Sequence, residues 1–405
     1  PKRLHLEVHR PDLKHFSPAT ERIFATGHRV GALACDLLGS EDGVFIDRKT
    51  GVRPNLEKTA ALIEQGAPAI YEAAFRHENV LVYVDILRRE GNAWRLIEVK
   101  SSGSVKTEHR LDCAIQTWVA RGTALPVTGV TLAHVDSSFV YPGEGRYAGL
   151  LAETDITADV EALQPLVPTW VEDAARASSD NEPAADVGKH CTSPHECPFR
   201  AHCWPMDAKY PVTGLGGRKE KLAELVCAGY SDICEVPEEA LRLDGHKRIH
   251  RITRTGEPEL LNEAVTLTRE LVYPRYYVDF ETINPAIPVW AGTRPFEALP
   301  FQWSCHIERS PGSFEHAEFL DVSGEPPMRA FAETLRGTLG DAGPILTYSP
   351  YEKRILRELA ARFPDLAGAL EPLVDRLVDL FPIAQRNYYH PDMLGSWSIK
   401  SVLPT

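Results

Sequence analysis

The stretch NVLVYVDILRREGNAWRLIEVKSS, residues 79–102, decides how the chain reads. Its first half, to Arg89, and its second half, from Ala93, are both rich in β-branched and aliphatic residues. Between them stands Glu90-Gly91-Asn92, a turn signal, so the stretch is expected to form a β-hairpin with an apolar face. Residues two apart on a strand share a face, so Glu98 and Lys100 project together, and the hairpin brings Asp85 beside them. Each charge is set in an apolar run, where it is costly to bury without a partner or an ion. Hard carboxylate oxygens suit Mg²⁺ or Mn²⁺, which can clamp a phosphodiester, while an ammonium can orient water or offset charge at phosphorus. Ordinary solvated strand charges are the plain alternative.

Outward from the hairpin, helical patterns occupy FATGHRVGALACDLL (24–38) and LEKTAALIEQ (56–65) before it. After it come a helix, HRLDCAIQTWVARG (109–122), and a strand, GVTLAHVDSSFVY (129–141). Helix, antiparallel strands, helix and strand make an α/β core. His109 and Asp112 lie one turn apart on the helix after the hairpin, placed either to contact substrate or to serve as a cap and an ion pair. A polar loop is expected at 178–187 and a linker at PVTGLGG (211–217). Short helices are expected over 219–243, either as a spacer or as a hairpin-like connector touching a phosphate backbone. A second α/β unit begins with the strand YYVDFET (276–282), followed by PFQWSCHIER (300–309) and GPILTYS (343–349).

With 405 residues the chain is long enough for two or three units. Its 57 acidic against 44 basic residues, a net charge of −13, argue against coating nucleic acid by bulk positive charge and leave room for a local basic groove. No run of 18 apolar residues occurs, so no membrane partner is expected. No leader pattern is seen, and a cytoplasmic location is expected. Eight cysteines are too few for a disulfide scaffold. Three of them fall in HCTSPHECPFRAHCW as Cys191, Cys197 and Cys203, close enough to wrap one soft metal centre. Zinc can draw its fourth ligand from His190, His195 or His202, whereas an iron–sulfur cluster needs another cysteine.

The hairpin residues resemble the PD-(D/E)XK nuclease superfamily and, more narrowly, its RecB-like branch. That branch also has a metal-binding His on an early helix, matched by His28, and a Gln-centred motif on the helix after the Lys, matched by Gln116. A Tyr usually stands four residues after the Gln, where this chain has Ala120. The cysteine segment is similar to that of the CRISPR-adaptation and AddB-type nucleases, in which a lone early Cys completes a [4Fe-4S] cluster. That resemblance implies cluster ligands Cys191, Cys197 and Cys203 and a fourth ligand before Pro1, with Cys35 as the substitute within the chain. Asp279 and Glu281, on one face of YYVDFET, resemble the first motif of DnaQ-like, RNase H-fold exonucleases, which implies that both hold metal. Glu352, Asp379 and the Ser398-Ile399-Lys400 helix start are partial matches to later motifs.

The expected organisation is therefore a restriction-endonuclease-like α/β core with the cysteine segment (1–210), a helical connector (211–272) and an RNase H-like α/β domain (273–405). The resemblance implies Asp85, Glu98, Lys100, Gln116, Asp279 and Glu281 as catalytic residues, and His28, Asp85, Glu98, Asp279 and Glu281 as ligands of Mg²⁺ or Mn²⁺. It implies hydrolysis of DNA, at single strands or ends. The alternatives are a non-catalytic nucleic-acid-binding protein with a structural metal site, and a nuclease acting on RNA.

Overall fold

A computed structural model of the chain describes residues 1–179 and 181–405; Asp180, inside the expected loop 178–187, lies outside the described residues. The architecture is α/β, in two compact units: Pro1–Ala185 with Pro285–Glu297, and Asp186–Asn284 with Ala298–Thr405.

In the first unit a six-stranded sheet runs in chain order: β1 (Val44–Phe45), β2 (Ala69–His77), β3 (Val80–Glu90), β4 (Ala93–Lys100), β5 (Val127–Val135) and β6 (Leu151–Asp155). Strands β2, β3 and β4 are antiparallel neighbours, and β4 and β5 are parallel, joined through the helix Thr107–Gly122. Glu90 pairs with Ala93, which leaves a two-residue turn whose Gly91 has φ 64, a backbone angle that glycine adopts without strain. Alternation along the hairpin assigns its two faces. The pair Leu87 and Leu96 packs with Cys113, Ala114, Val119 and Ala120 of the helix Thr107–Gly122, whereas Ile86 and Ile97 pack with Ala34 of the helix Pro18–Leu38. Burying each such aliphatic side chain contributes about 1.5–3 kcal/mol, and a slip of one residue would turn all of them to the wrong layer. The helix Pro18–Leu38 starts where Ser17 accepts a hydrogen bond from the Thr20 N–H (3.2 Å), with Pro18 at the first helical position.

The second unit holds a five-stranded sheet in the order β10-β9-β8-β11-β12. Here β8 is Arg275–Ile283, β9 Leu299–Ser310, β10 Ser313–Leu320, β11 Ile345–Thr347 and β12 Leu377–Asp379. The first three are antiparallel, and β11 and β12 run parallel to β8. A small ladder joins β7 (Glu259–Leu260) to β13 (Tyr388–Tyr389).

The boundaries differ from those expected. The stretch 211–217 is no linker: Val212 and Leu215 are buried in one core with Leu222, Ile249, Tyr389 and Met393, so residues 211–272 fold with the C-terminal segment rather than space two domains. A Cβ on Gly395 would overlap the carbonyl oxygen of Gly214, so two distant backbones touch where only glycine fits. Cys191 and Trp204 belong to the same core, which moves the boundary from 210 to 185. Residues 285–297, expected in the last domain, belong to the first unit, where Ala286 packs with Val30, Val135 and Leu150.

Candidate active site

Beyond Ile86 and Ile97 the ladder between β3 and β4 opens. The next pair in that register is Asp85 and Glu98, on the same face as Leu87 and Leu96. Instead of a backbone ladder bond, the Val99 N–H donates to the Asp85 carboxylate at 2.8 Å. Glu98 is 5% exposed. Its Oε1 receives the Lys100 ammonium at 2.6 Å, and its Oε2 receives the Gln116 side-chain N–H at 2.9 Å. Lys100 also donates to Asp112 at 2.8 Å. Asp112 and Gln116 are four residues apart on the helix Thr107–Gly122, which sets both over the hairpin face. Gln116 is 6% exposed, and its Oε1 is buried with no hydrogen-bond partner among the described residues.

Burial pushes the Asp85 carboxyl up, against the pull of the Val99 N–H. Burial pushes Glu98 up as well; the charge of Asp85 adds to the rise, and Lys100 opposes it. For Lys100 burial works downward, but Glu98 and Asp112 outweigh it and keep the ammonium charged. Two carboxylates that resist ionising side by side, next to an orphaned amide oxygen, are a donor set of hard oxygens that a divalent cation would relieve.

Sequence reasoning missed Glu72. The β2 ladder skips it between Tyr71, paired with Ile86, and Ala73, paired with Val84, so Glu72 stands level with Asp85 on the adjoining strand. Its φ is 58, its carboxylate is paired with Arg48, and its charge helps to push Asp85 up. A lone Glu in AIYEAAFRH carries no signal until the strand pairing is known.

Asp85, Glu98, Lys100 and Gln116 come together as expected; His28 does not join them. It is exposed on the helix Pro18–Leu38, two residues before the buried Val30 that faces the sheet. His109 acts as a cap, its Nδ1 accepting from the Lys106 N–H at 3.2 Å, and Asp112 acts as an ion-pair partner. Cys191 is buried, Cys197 and Cys203 are half-buried, and no disulfide joins them. Among the described residues no group of three or more His, Cys, Asp or Glu side chains is arranged to hold a metal ion. No step below runs through a metal at the cysteine segment. The hairpin needs no such cage, because Mg²⁺ is commonly held by one or two carboxylates plus substrate phosphate oxygens.

In the second unit Asp279 and Glu281 are exposed on one face of β8. Thr347, at the end of β11, pairs with Asp379 at the end of β12. Glu352 is 4% exposed and accepts from the Ser349 hydroxyl at 3.0 Å. Burial pushes its carboxyl up, and Asp279 and Asp379 add to the shift, so these three acids lie within electrostatic reach of one another.

The hairpin pair sets a pH dependence. Carboxyls raised in the folded state hold protons more tightly there than in the unfolded chain, so they stabilise the fold at low pH and that contribution is lost as pH rises. Without divalent cation the melting temperature should fall as pH climbs from the ordinary carboxylate range, about pH 4, towards neutrality, and Mn²⁺ should remove the fall. A flat thermal-shift profile in EDTA would contradict this.

A family model described as a domain of unknown function, DUF2779, matches residues 276–398, the stretch that carries the second sheet. A search of the curated proteins found no match. Among solved structures, one titled "Crystal structure of SSO0001" is similar at 13% identity with a TM-score of 0.19, covering 44% of this chain and 94% of that one. No helix among the described residues is long and apolar enough to cross a membrane.

Proposed function

We propose that the chain is a divalent-metal-dependent nuclease that hydrolyses phosphodiester bonds of DNA, at single strands or ends, with its working site on the β3–β4 hairpin. The observation that carries the reading is the convergence of Asp85, Glu98, Lys100 and Gln116 on one sheet face, just beyond the last paired residues Ile86 and Ile97. The strand order of the first sheet, three antiparallel strands and a helical crossover to a parallel fourth, agrees with the restriction-endonuclease-like core the sequence resembles.

Asp85 and Glu98 would hold Mg²⁺ or Mn²⁺. Such an ion acidifies a water and offsets charge on the phosphate when bound. Lys100 presents its ammonium to an anionic substrate oxygen or to the attacking water. Gln116 fixes one oxygen of Glu98, so the carboxylate keeps its aim. A cytoplasmic setting suits a chain whose eight cysteines form no disulfide among the described residues.

The second unit supports an additional reading, a DnaQ-like exonuclease site around Asp279, Glu281, Glu352 and Asp379. Its meander of three strands followed by two parallel ones agrees with an RNase H-like order.

The test is cleavage of end-labelled single-stranded DNA by the full chain with Mn²⁺, beside Asp85→Ala and Asp279→Ala. Loss in the first variant alone supports the hairpin. Loss in the second alone moves the activity to β8. Salt-sensitive binding without product in any form would leave a binding protein, and competition with matched RNA identifies the preferred strand.

A further inference from the structure

A basic cleft lies within the second unit. The helix Asp244–Thr255, DGHKRIHRITRT, turns Ile249 and Ile252 into the core, which leaves Lys247, Arg251 and Arg254 on its outer side. These three follow the spacing of one helical stripe, i, i+4 and i+7. Arg386, from the helix Phe381–Asn387, lines the same cleft of about 780 Å³, together with Arg248 and His250. Five fixed cations thus face three carboxylates, Glu238, Asp244 and Glu259, in a chain whose net charge is −13.

The balance is more positive than the count suggests. Glu259 is held by both Arg248 and Arg251, at 2.5 Å each, while Lys247 and Arg254 are exposed with no ion pair among the described residues. Arg248 is fixed by Glu259 and by the carbonyl of Gln385 (2.7 Å), yet its Nη2 is buried with no hydrogen-bond partner among the described residues, as is the Nε2 of His250. Buried nitrogens without partners, in a cleft lined by cations, mark a place where acceptor oxygens are missing. The stripe from Lys247 to Arg254 spans seven residues, about 10 Å of helix. One strand carries a phosphate about every 3.4 Å along a duplex axis, so that span meets several phosphates in succession.

We propose that this cleft binds the phosphate backbone of a single nucleic-acid strand, guiding it as an element of the second unit. The inference rests on the nuclease reading for its choice of ligand, and it is tested without cleavage. Binding of fluorescein-labelled oligo-dT to the full chain is followed by anisotropy in EDTA across a salt series, for wild type, Lys247→Glu/Arg254→Glu and Arg76→Glu/Arg146→Glu. The last makes an equal charge change at exposed positions of the first unit.

The cleft variant is expected to bind at least about tenfold more weakly. Its salt slope should be smaller by about 1.4, since two contacts are lost at about 0.7 each for a single strand. The control should stay within about twofold of wild type. Equal loss in both variants, no loss in the cleft variant, or no binding by wild type would each overturn the proposal. Displacement of the strand by ATP at matched phosphate concentration would also overturn it in favour of a free nucleotide. Absence of Mn²⁺-dependent cleavage, with the cleft variant still selectively weakened, would count against the hairpin nuclease alone.

Discussion

Asp85→Asn is expected to reduce Mn²⁺-dependent cleavage by about 10³-fold while making the metal-free protein more stable. The two effects share one cause. The asparagine carbonyl can still accept the Val99 N–H bond, so the strand opening is preserved. What disappears is a negative charge held between Glu72 and Glu98 in a site where burial disfavours it. At pH 8 that relief should add on the order of 1–3 kcal/mol to stability. Activity and melting temperature therefore move in opposite directions, the pattern of a site strained for its task. Lower stability together with lower activity would point to a structural carboxylate. Full activity in Asp85→Asn would remove the hairpin from the chemistry.

The second large effect concerns the fold of the C-terminal unit. Arg376 spends its guanidinium on four carbonyl oxygens: Leu339 (2.9 Å), Gly340 (2.6 Å), Ala342 (2.7 Å) and Gly343 (2.7 Å). Leu339 ends the helix Met328–Leu339, so two of these carbonyls belong to the chain's exit from a helix, where acceptors have no internal partner. The positive charge also opposes the negative end of that helix. Arg376→Ala should lower stability by about 3 kcal/mol, since several charge-assisted bonds go at once and water replaces only part of them. Arg376→Lys should recover less than half, because one ammonium cannot span a fork of four acceptors. Urea unfolding followed by tryptophan fluorescence measures both. A loss under about 1 kcal/mol in the alanine variant would show that solvent serves those carbonyls equally well.

What could be read in advance depended on whether the signal was local. Alternation and the Gly91 turn made the hairpin legible, and the period of two made Glu98 and Lys100 neighbours before any coordinates. Gln116 was legible from its resemblance to a motif, although its contact with Glu98 depends on the crossover helix. Strand β2 was not legible: the alanines and Glu72 of AIYEAAFRH dilute the alternation, and the strand is secured by pairing with β3. Val212 and Leu215 are two apolar residues in a glycine-rich stretch, too short for any period, so their burial could not be distinguished from a linker. The basic stripe of the helix Asp244–Thr255 was passed over in the sequence, where nothing local marks it as one side of a cleft. Arg386, which completes the cleft, comes from far along the chain, and only folding brings the two together.

The passage of residues 285–297 through the first unit has a consequence for synthesis. During translation, the place that Ala286 occupies beside Val30, Val135 and Leu150 stays vacant after Ala185 has emerged, until the 99 residues Asp186–Asn284 have followed. At about 5–20 residues per second that wait is roughly 5–20 s. For that interval the nascent sheet carries an open apolar notch, and the unit that contains the hairpin is completed only when the ribosome is well into the second one.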